Sequence, residues 1–290
     1  MPPIAAAKEA PFDPDRCFRD GEAPRPVLTT RRGALYQDDC LAVLPRLRDG
    51  VFHTVFADPP FNLGKDYGPH WEDARPDEAY LAWCRRWLSE CARVLRPGGS
   101  LLVYNLPRWN VLLGAHLHEL GLTFRHWIAI EIKFGLPIRR RLYPAHYSLL
   151  YYTRGDGHTF RRIRVPIATC RHCGGELRDY GGHRRAMNPA GVTLSDVWSD
   201  VPPVRHWKFK SPKRRANQLS TKILDRVVEM TTEPGDRVLD PFGGSGTTFD
   251  VCERKGRNWI GIEMGAIDLI GERLRQGDVH AHRNRDHVED

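Results

Sequence analysis

The sequence predicts an α/β protein built on a doubly wound, mostly parallel sheet, with an irregular basic insertion between its two halves. Three observations carry this. Short apolar runs alternate with segments whose apolar positions recur every three or four residues, on both sides of the middle of the chain. Two of the runs, His53-Thr54-Val55-Phe56-Ala57 and Arg237-Val238-Leu239, end in loop-forming segments. These are Asp58-Pro59-Pro60-Phe61 and Asp240-Pro241-Phe242-Gly243-Gly244-Ser245-Gly246-Thr247, 182 positions apart. Loops that open where buried strands end are where α/β sheets hold ligands. Between the halves, residues 154–215 lose the alternation and collect glycines, prolines and isolated aromatics among arginines.

Taken in order, residues 1–30 are rich in proline, show little periodicity and read as a poorly ordered arm. Residues 34–48 hold a short strand, then Asp38-Asp39, then an amphipathic turn carrying Leu41, Leu44 and Leu47. The strand ending at Asp58 follows, and residues 62–75 are polar, glycine-bearing and aromatic, hence a loop. Pro76 opens a helix with Leu81, Cys84, Leu88, Cys91 and Leu95 on one face. Pro97-Gly98-Gly99 stops it, and residues 100–104 form a strand. A helix over 110–120 leads to strands over 124–132 and 148–152. After the insertion come a helix over 218–230, the strand to Leu239, a helix from Thr247, a strand over 259–262 and a helix over 267–275. The main domain is 31–276, containing an insertion at 139–215, and residues 277–290 read as a frayed tail.

A chain of 290 residues buries a large core without help from disulfides or metals. No stretch approaches the roughly 18 uninterrupted apolar residues of a membrane span. The N-terminus lacks the apolar core of a signal peptide. Seven scattered cysteines fit a reducing compartment, so the expected location is cytoplasmic. The net charge of +8 is uneven: residues 139–215 carry 17 Arg/Lys against 5 Asp/Glu, a local net of +12, and the rest of the chain nets −4. A basic middle in a mildly acidic protein is the footprint of polyanion binding.

The glycine-rich segment lets the backbone turn sharply and approach a ligand, with the N–H groups of the following helix directed at it. Glu263 ends the next strand, well placed to accept both hydroxyls of a ribose. There is no Gly-Lys-Ser/Thr, so the loop does not grip phosphates. Asp58-Pro59-Pro60-Phe61 suits a different task. An exocyclic base amine is a poor nucleophile because its lone pair is conjugated into the ring. A carboxylate from Asp58 and the carbonyl of Pro59, each accepting one N–H, would localise that lone pair and orient it. Pro60 locks the turn, and Phe61 offers a face for a flipped base.

Together the two segments resemble the amino-group DNA methyltransferases, and the order of catalytic motif, basic region and cofactor loop is that of their β class. The resemblance extends over residues 34–276. It implies a Rossmann-like, circularly permuted methyltransferase fold, S-adenosyl-L-methionine as cofactor and double-stranded DNA as substrate. By position it implies catalytic roles for Asp58, Pro59, Pro60 and Phe61. Cofactor contacts are implied for Asp39, Asp240, Phe242, Gly243, Gly244, Ser245, Gly246, Thr247 and Glu263. Asp rather than Ser at position 58 resembles the adenine-N6 enzymes, with cytosine N4 as the alternative acceptor. A non-catalytic DNA-binding module on the same fold is a further alternative, and a homodimer and a cognate restriction endonuclease are compatible partners. Two departures stand out: Phe61 replaces the commoner Tyr, and Gln218-Leu219-Ser220 stands where the family has Gln-Lys-Pro, leaving Lys222 or Lys213 to supply the cation.

Within the insertion, Trp198, His206, Trp207 and Phe209 alternate with Arg205, Lys208, Lys210, Lys213 and Arg214, a mixture suited to phosphate contact and base stacking. Cys170-Arg171-His172-Cys173 has the spacing of half a zinc site, and reduced structural cysteines are the plainer alternative.

Overall fold

The computed structural model describes residues 10–64, 73–132, 139–140, 142–167, 169–170, 172–176, 179, 181–202, 218–276 and 287–289. Its centre is a nine-stranded sheet of order β1-β2-β11-β10-β3-β4-β6-β5-β9. Four neighbouring strands run parallel: β2 (Gly33–Tyr36), β11 (Asn258–Ile262), β10 (Arg237–Asp240) and β3 (Phe52–Ala57). On one side β1 (Leu28–Thr29) adds to β2 as an antiparallel edge. On the other, β4 (Leu95–Asn105) continues the parallel run, and β6 (His146–Thr153) is antiparallel to both β4 and β5 (Thr123–Glu131). The last strand, β9 (Val197–Trp198), closes that edge parallel to β5.

The chain leaves β3 in one direction, through α2 (Asp77–Val94) to β4, and leaves β10 in the other, through α5 (Thr247–Lys255) to β11. A switch of direction between adjacent parallel strands puts helices on opposite faces and opens a crevice at the strand ends. The short α1 (Cys40–Val43), α2 and α3 (Pro107–Glu119) pack against one face. The other is covered by α4 (Thr221–Thr231), α5 and α6 (Ile267–Gln276). On α2, Tyr80, Trp83, Cys84, Trp87, Leu88, Cys91 and Val94 are buried, the three-and-four spacing of one helix face. Asn110 pins α3 to the sheet by donating to the Val103 and Ser148 carbonyls at 3.2 and 3.0 Å.

The expected elements form, with four corrections. Residues 10–30 are not a loose arm: a 3-10 helix at Pro14–Cys17 delivers Cys17 and Phe18 into the core with no exposure, because an aromatic ring has more to gain from burial than the prolines around it lose. β4 begins at Leu95 rather than after the Pro97-Gly98-Gly99 turn; Phe52 pairs with Leu95 and Thr54 with Ser100, so the turn is absorbed as an irregularity within the ladder. The insertion cannot start at 139, since β6 lies in the middle of the main sheet. A separate three-stranded sheet, β12-β7-β8, is made of β7 (Arg162–Val165), β8 (Val192–Thr193) and β12 (His287–Glu289), so part of the tail pairs with the insertion instead of fraying.

Candidate functional site

Because β2, β11, β10 and β3 are adjacent and parallel, their C-terminal ends bring Asp39, Glu263, the glycine loop and Asp58 to one edge of the sheet. At about 4.8 Å between strands, that edge spans on the order of 15 Å. Segments 182 positions apart in the chain thus open on neighbouring strands, β3 and β10.

The glycine loop is held from inside. Asp240 is buried and spends its carboxylate on the loop, accepting the Phe242 N–H at 2.9 Å and the Thr248 hydroxyl at 2.5 Å. Burial, with the Glu263 charge adding to it, outweighs those hydrogen bonds and pushes the Asp240 carboxyl up to about 7. Gly243 donates to the Ile262 carbonyl at 2.8 Å, and Gly244 N–H donates to Glu263 Oε2 at 2.7 Å. The other Glu263 oxygen accepts from Gly265 and Ala266. Gly246, at φ +77°, is the N-cap of α5. A Cβ at position 243 would lie 2.9 Å from the buried Phe249 ring, so glycine lets the loop lie close against α5. Phe242 lies against Trp87 and Trp83, ring centroids 5.1 and 5.7 Å away, and Ser245 and Thr247 are buried at the helix start. Asp39 caps α1, its carboxylate accepting the Leu41 N–H at 2.8 Å, and stays half-buried.

These residues fit S-adenosylmethionine. Carboxylates at the mouth would repel a phosphate, whereas they suit ribose hydroxyls and the positive charges of an amino acid–sulfonium ligand. Lys222, a candidate for the missing family lysine, is engaged elsewhere, at 2.7 Å from Asp200, and Lys213 lies outside the described residues.

At the end of β3 the turn is equally constrained. Tyr80 donates its hydroxyl to the Pro60 carbonyl at 2.7 Å and itself accepts from Asn105 at 3.0 Å. The Trp109 indole donates to the Phe61 carbonyl at 2.9 Å. Pro59 is buried beside the half-buried Asp58. Phe61 departs from expectation. Its ring is 9% exposed, packed 5.9 Å from both Tyr104 and Tyr147, which are themselves 5.3 Å apart. Apolar rings gain more by closing on one another than by facing water. Burial first, then the neighbouring Asp58 and Tyr147, push the Tyr104 phenol well above its usual range, so it remains a neutral hydroxyl.

Sequence reasoning missed Tyr80, Trp109, Tyr104, Tyr147 and Asp73. The apolar face read for α2 from Leu81 passed Tyr80 by; the spacing of Tyr80, Trp83 and Trp87 is the one signal that could have shown its burial, though not its hydrogen bond, and nothing local marks the others. It also misassigned Trp198, which is buried, donates to the Ser195 carbonyl at 2.8 Å and lies 5.1 Å from the Arg226 guanidinium. Arg205, Lys208, Lys210 and Arg214, the other proposed DNA contacts, lie outside the described residues. Cys170 and Cys173 are free thiols in one turn, and among the described residues no cluster of three or more metal-ligating side chains occurs. No helix among the described residues is long and apolar enough to cross a membrane.

Comparison with known proteins agrees with this architecture. A family model described as DNA methylase matches residues 52–267. The type II methyltransferase M.BamHI of Bacillus amyloliquefaciens is 53% identical over 262 residues, covering 90% of this chain and 61% of that protein. The type II methyltransferase M.HpaI of Haemophilus parainfluenzae is 32% identical over 244 residues, covering 81% of this chain and 72% of that one. This chain therefore spans about three-fifths of the length of M.BamHI. Among solved structures, the cytosine-N4-specific PvuII DNA methyltransferase superposes with a TM-score of 0.58 at 19% identity, over 88% of this chain and 89% of its own. The M1.HpyAVI complex with SAM does so with a TM-score of 0.51 at 21% identity, over 83% of this chain and 99% of its own. With the family model matching most of the chain, the protein belongs to the S-adenosylmethionine-dependent DNA methylases that act on amino groups.

Proposed function

We propose that this chain methylates an exocyclic amine of a base flipped out of duplex DNA. One observation supports it above the rest: the Asp58 turn and the glycine loop open on adjacent parallel strands, β3 and β10. S-adenosylmethionine, when bound, supplies an electrophilic sulfonium methyl. The chain's residues do the remainder. Gly243, Gly244 and Gly246 with Glu263 and Asp39 hold the cofactor. Asp58 and the Pro59 carbonyl accept the two N–H groups of the amine, drawing its lone pair out of conjugation and aiming it. Tyr104 and Tyr147 back the aromatic wall that Phe61 begins. The basic segment with Arg205, Lys208, Lys210, Lys213 and Arg214 tracks phosphates.

Asp58 carries the reading of adenine N6 as the acceptor. Cytosine N4 is the alternative acceptor. Incubation with methyl-labelled S-adenosylmethionine and unmethylated genomic DNA, followed by nucleoside mass spectrometry, separates them. N6-methyladenine or N4-methylcytosine identifies the acceptor, and no methylated base at all counts against the enzymatic reading. Asp58→Ala should lower transfer by roughly 100- to 1,000-fold with cofactor affinity retained. Full activity in that variant would remove Asp58 from its role.

A further inference from the structure

The segment that leaves the Asp58 turn does not trail off as a loop. Asn62 sits at φ +56°, a left-handed conformation that few residues other than glycine adopt and that asparagine tolerates best. Its side-chain amide is bonded at both ends to one residue, donating to the Arg75 carbonyl at 2.8 Å and accepting the Arg75 N–H at 2.8 Å. Asp73, only 4% exposed, accepts the Asn62 N–H at 2.9 Å on one carboxylate oxygen and the Leu63 N–H at 3.0 Å on the other. The Gly64 N–H reaches the Asp73 carbonyl at 2.6 Å. Five hydrogen bonds thus join 62–64 to 73 and 75 immediately after Phe61.

A buried carboxylate that receives two consecutive backbone N–H groups fixes the direction in which the chain leaves the turn. On the other flank, Tyr80 and Trp109 occupy the Pro60 and Phe61 carbonyls. The Pro60 and Phe61 carbonyls and the Asn62 and Leu63 N–H groups are therefore engaged on the two flanks of Asp58 and Pro59.

We infer that Asp73, acting with Asn62, is a positioning residue for the Asp58-Pro59-Pro60-Phe61 turn: it holds the Pro59 carbonyl and Asp58 in register with the glycine loop without touching cofactor or base. This rests on the methyl-transfer reading above. Asp73→Asn preserves shape but turns one acceptor into a donor facing an N–H. Asn62→Gly keeps the left-handed backbone and removes both amide bonds to Arg75.

The test measures, for wild type and both variants, the single-turnover methyl-transfer rate, the S-adenosylmethionine Kd by calorimetry, and hydrogen exchange across residues 58–64. Expected for each variant are a rate lower by about 10- to 100-fold, faster exchange confined to 58–64, and a cofactor Kd within about twofold of wild type. If Asp73→Asn fails to fold, Asn62→Gly carries the comparison alone. Rates within twofold of wild type in the folded variants would overturn the inference, as would a loss of rate matched by an equal loss of cofactor affinity. Wild-type protein that methylates no DNA would instead sink the enzymatic reading, and the role of Asp73 with it.

Discussion

Gly244 donates its N–H to Glu263 Oε2 at 2.7 Å, tying the turn after β10 to the tip of β11. The bond is charge-assisted, and its acceptor sits at the end of the strand next door, so the shape of the loop depends on the sheet as well as on the loop's own sequence. Glu263 therefore serves two purposes, as a candidate partner for ribose hydroxyls and as the anchor of the loop proposed to hold the cofactor.

Removing that anchor should weaken cofactor binding even where the fold survives. Glu263→Ala is expected to raise the S-adenosylmethionine Kd by roughly 10- to 100-fold, the range for loss of hydrogen bonds to a charged group. Glu263→Gln should fall short of wild type too, because its amide nitrogen cannot accept from Gly244 or Gly265. Calorimetric titration decides, and an unchanged Kd in the alanine variant would take Glu263 out of the site.

Two glycines of this region should fail in different ways. Gly244 has room, since a Cβ added there would come no closer than 3.7 Å to the nearest atom, the Phe242 carbonyl oxygen, but φ is +51°. A β-branched side chain resists that conformation, so Gly244→Val should reshape the loop and abolish cofactor binding with little loss of melting temperature. At Gly261 a Cβ would lie 2.3 Å from Phe249, whose ring is stacked 4.6 Å from Trp259. Overpacking of this kind, as in Gly261→Ala, costs about 1–3 kcal/mol, which for a chain of this size lowers Tm by roughly 2–10 °C. Scanning fluorimetry beside calorimetry separates the two, and a reversal of the pattern would refute the assignment.

The parts of the site that were legible in the sequence are those built from local chemistry. Asp58-Pro59-Pro60-Phe61 and Gly243-Gly244-Ser245-Gly246 announce turns by composition, and the apolar runs before them announce strands. Tyr80, Trp109 and Asp73 were not legible, since each gains its role from a hydrogen bond formed across 20, 48 and 10 or 11 positions. Trp198 illustrates the converse. An aromatic among cations has the same composition whether it faces DNA or stacks on a buried arginine, and only the packing of β9 against β5 tells them apart. The insertion boundary failed for a related reason. β6 returns antiparallel between β4 and β5, breaking the strand–helix alternation while remaining at the heart of the sheet.

Arg226 makes the insertion's attachment to α4 testable. Its side chain is fully buried and donates to both Asp200 oxygens, at 2.9 and 2.7 Å. Burial alone would raise the Asp200 carboxyl, but hydrogen bonds from Arg226 and Lys222 outweigh it and hold it at about 2. Asp200→Ala removes two hydrogen bonds to the buried guanidinium, and because Asp200 is partly exposed a loss of about 1–3 kcal/mol is expected, read as a lower midpoint in urea. The depressed pKa gives the sign of its pH dependence. This contribution is present above about pH 4 and lost as pH falls toward 2, so the gap between variant and wild type should close in acid. A gap that persists undiminished through that fall would argue against the ion pair as its source.

Asp240 should show the opposite sign. In the unfolded chain it loses its proton near pH ~3.9, whereas in the folded protein burial keeps the proton until about pH 7. Between these values the folded state binds more protons than the unfolded one, so stability falls as pH rises, and the loss is complete above pH 7. Asp240→Asn removes the titration while keeping the contacts: its carbonyl can accept the Phe242 N–H, and its amide can donate to the Thr248 hydroxyl oxygen. Without cofactor, the two proteins should melt alike near pH ~5, and the asparagine variant should melt higher by about pH 8. A difference in Tm that stays flat across that range would mean that Asp240 ionises in the folded protein as it does in water, and that the loop is held by a charge instead of by a shared proton.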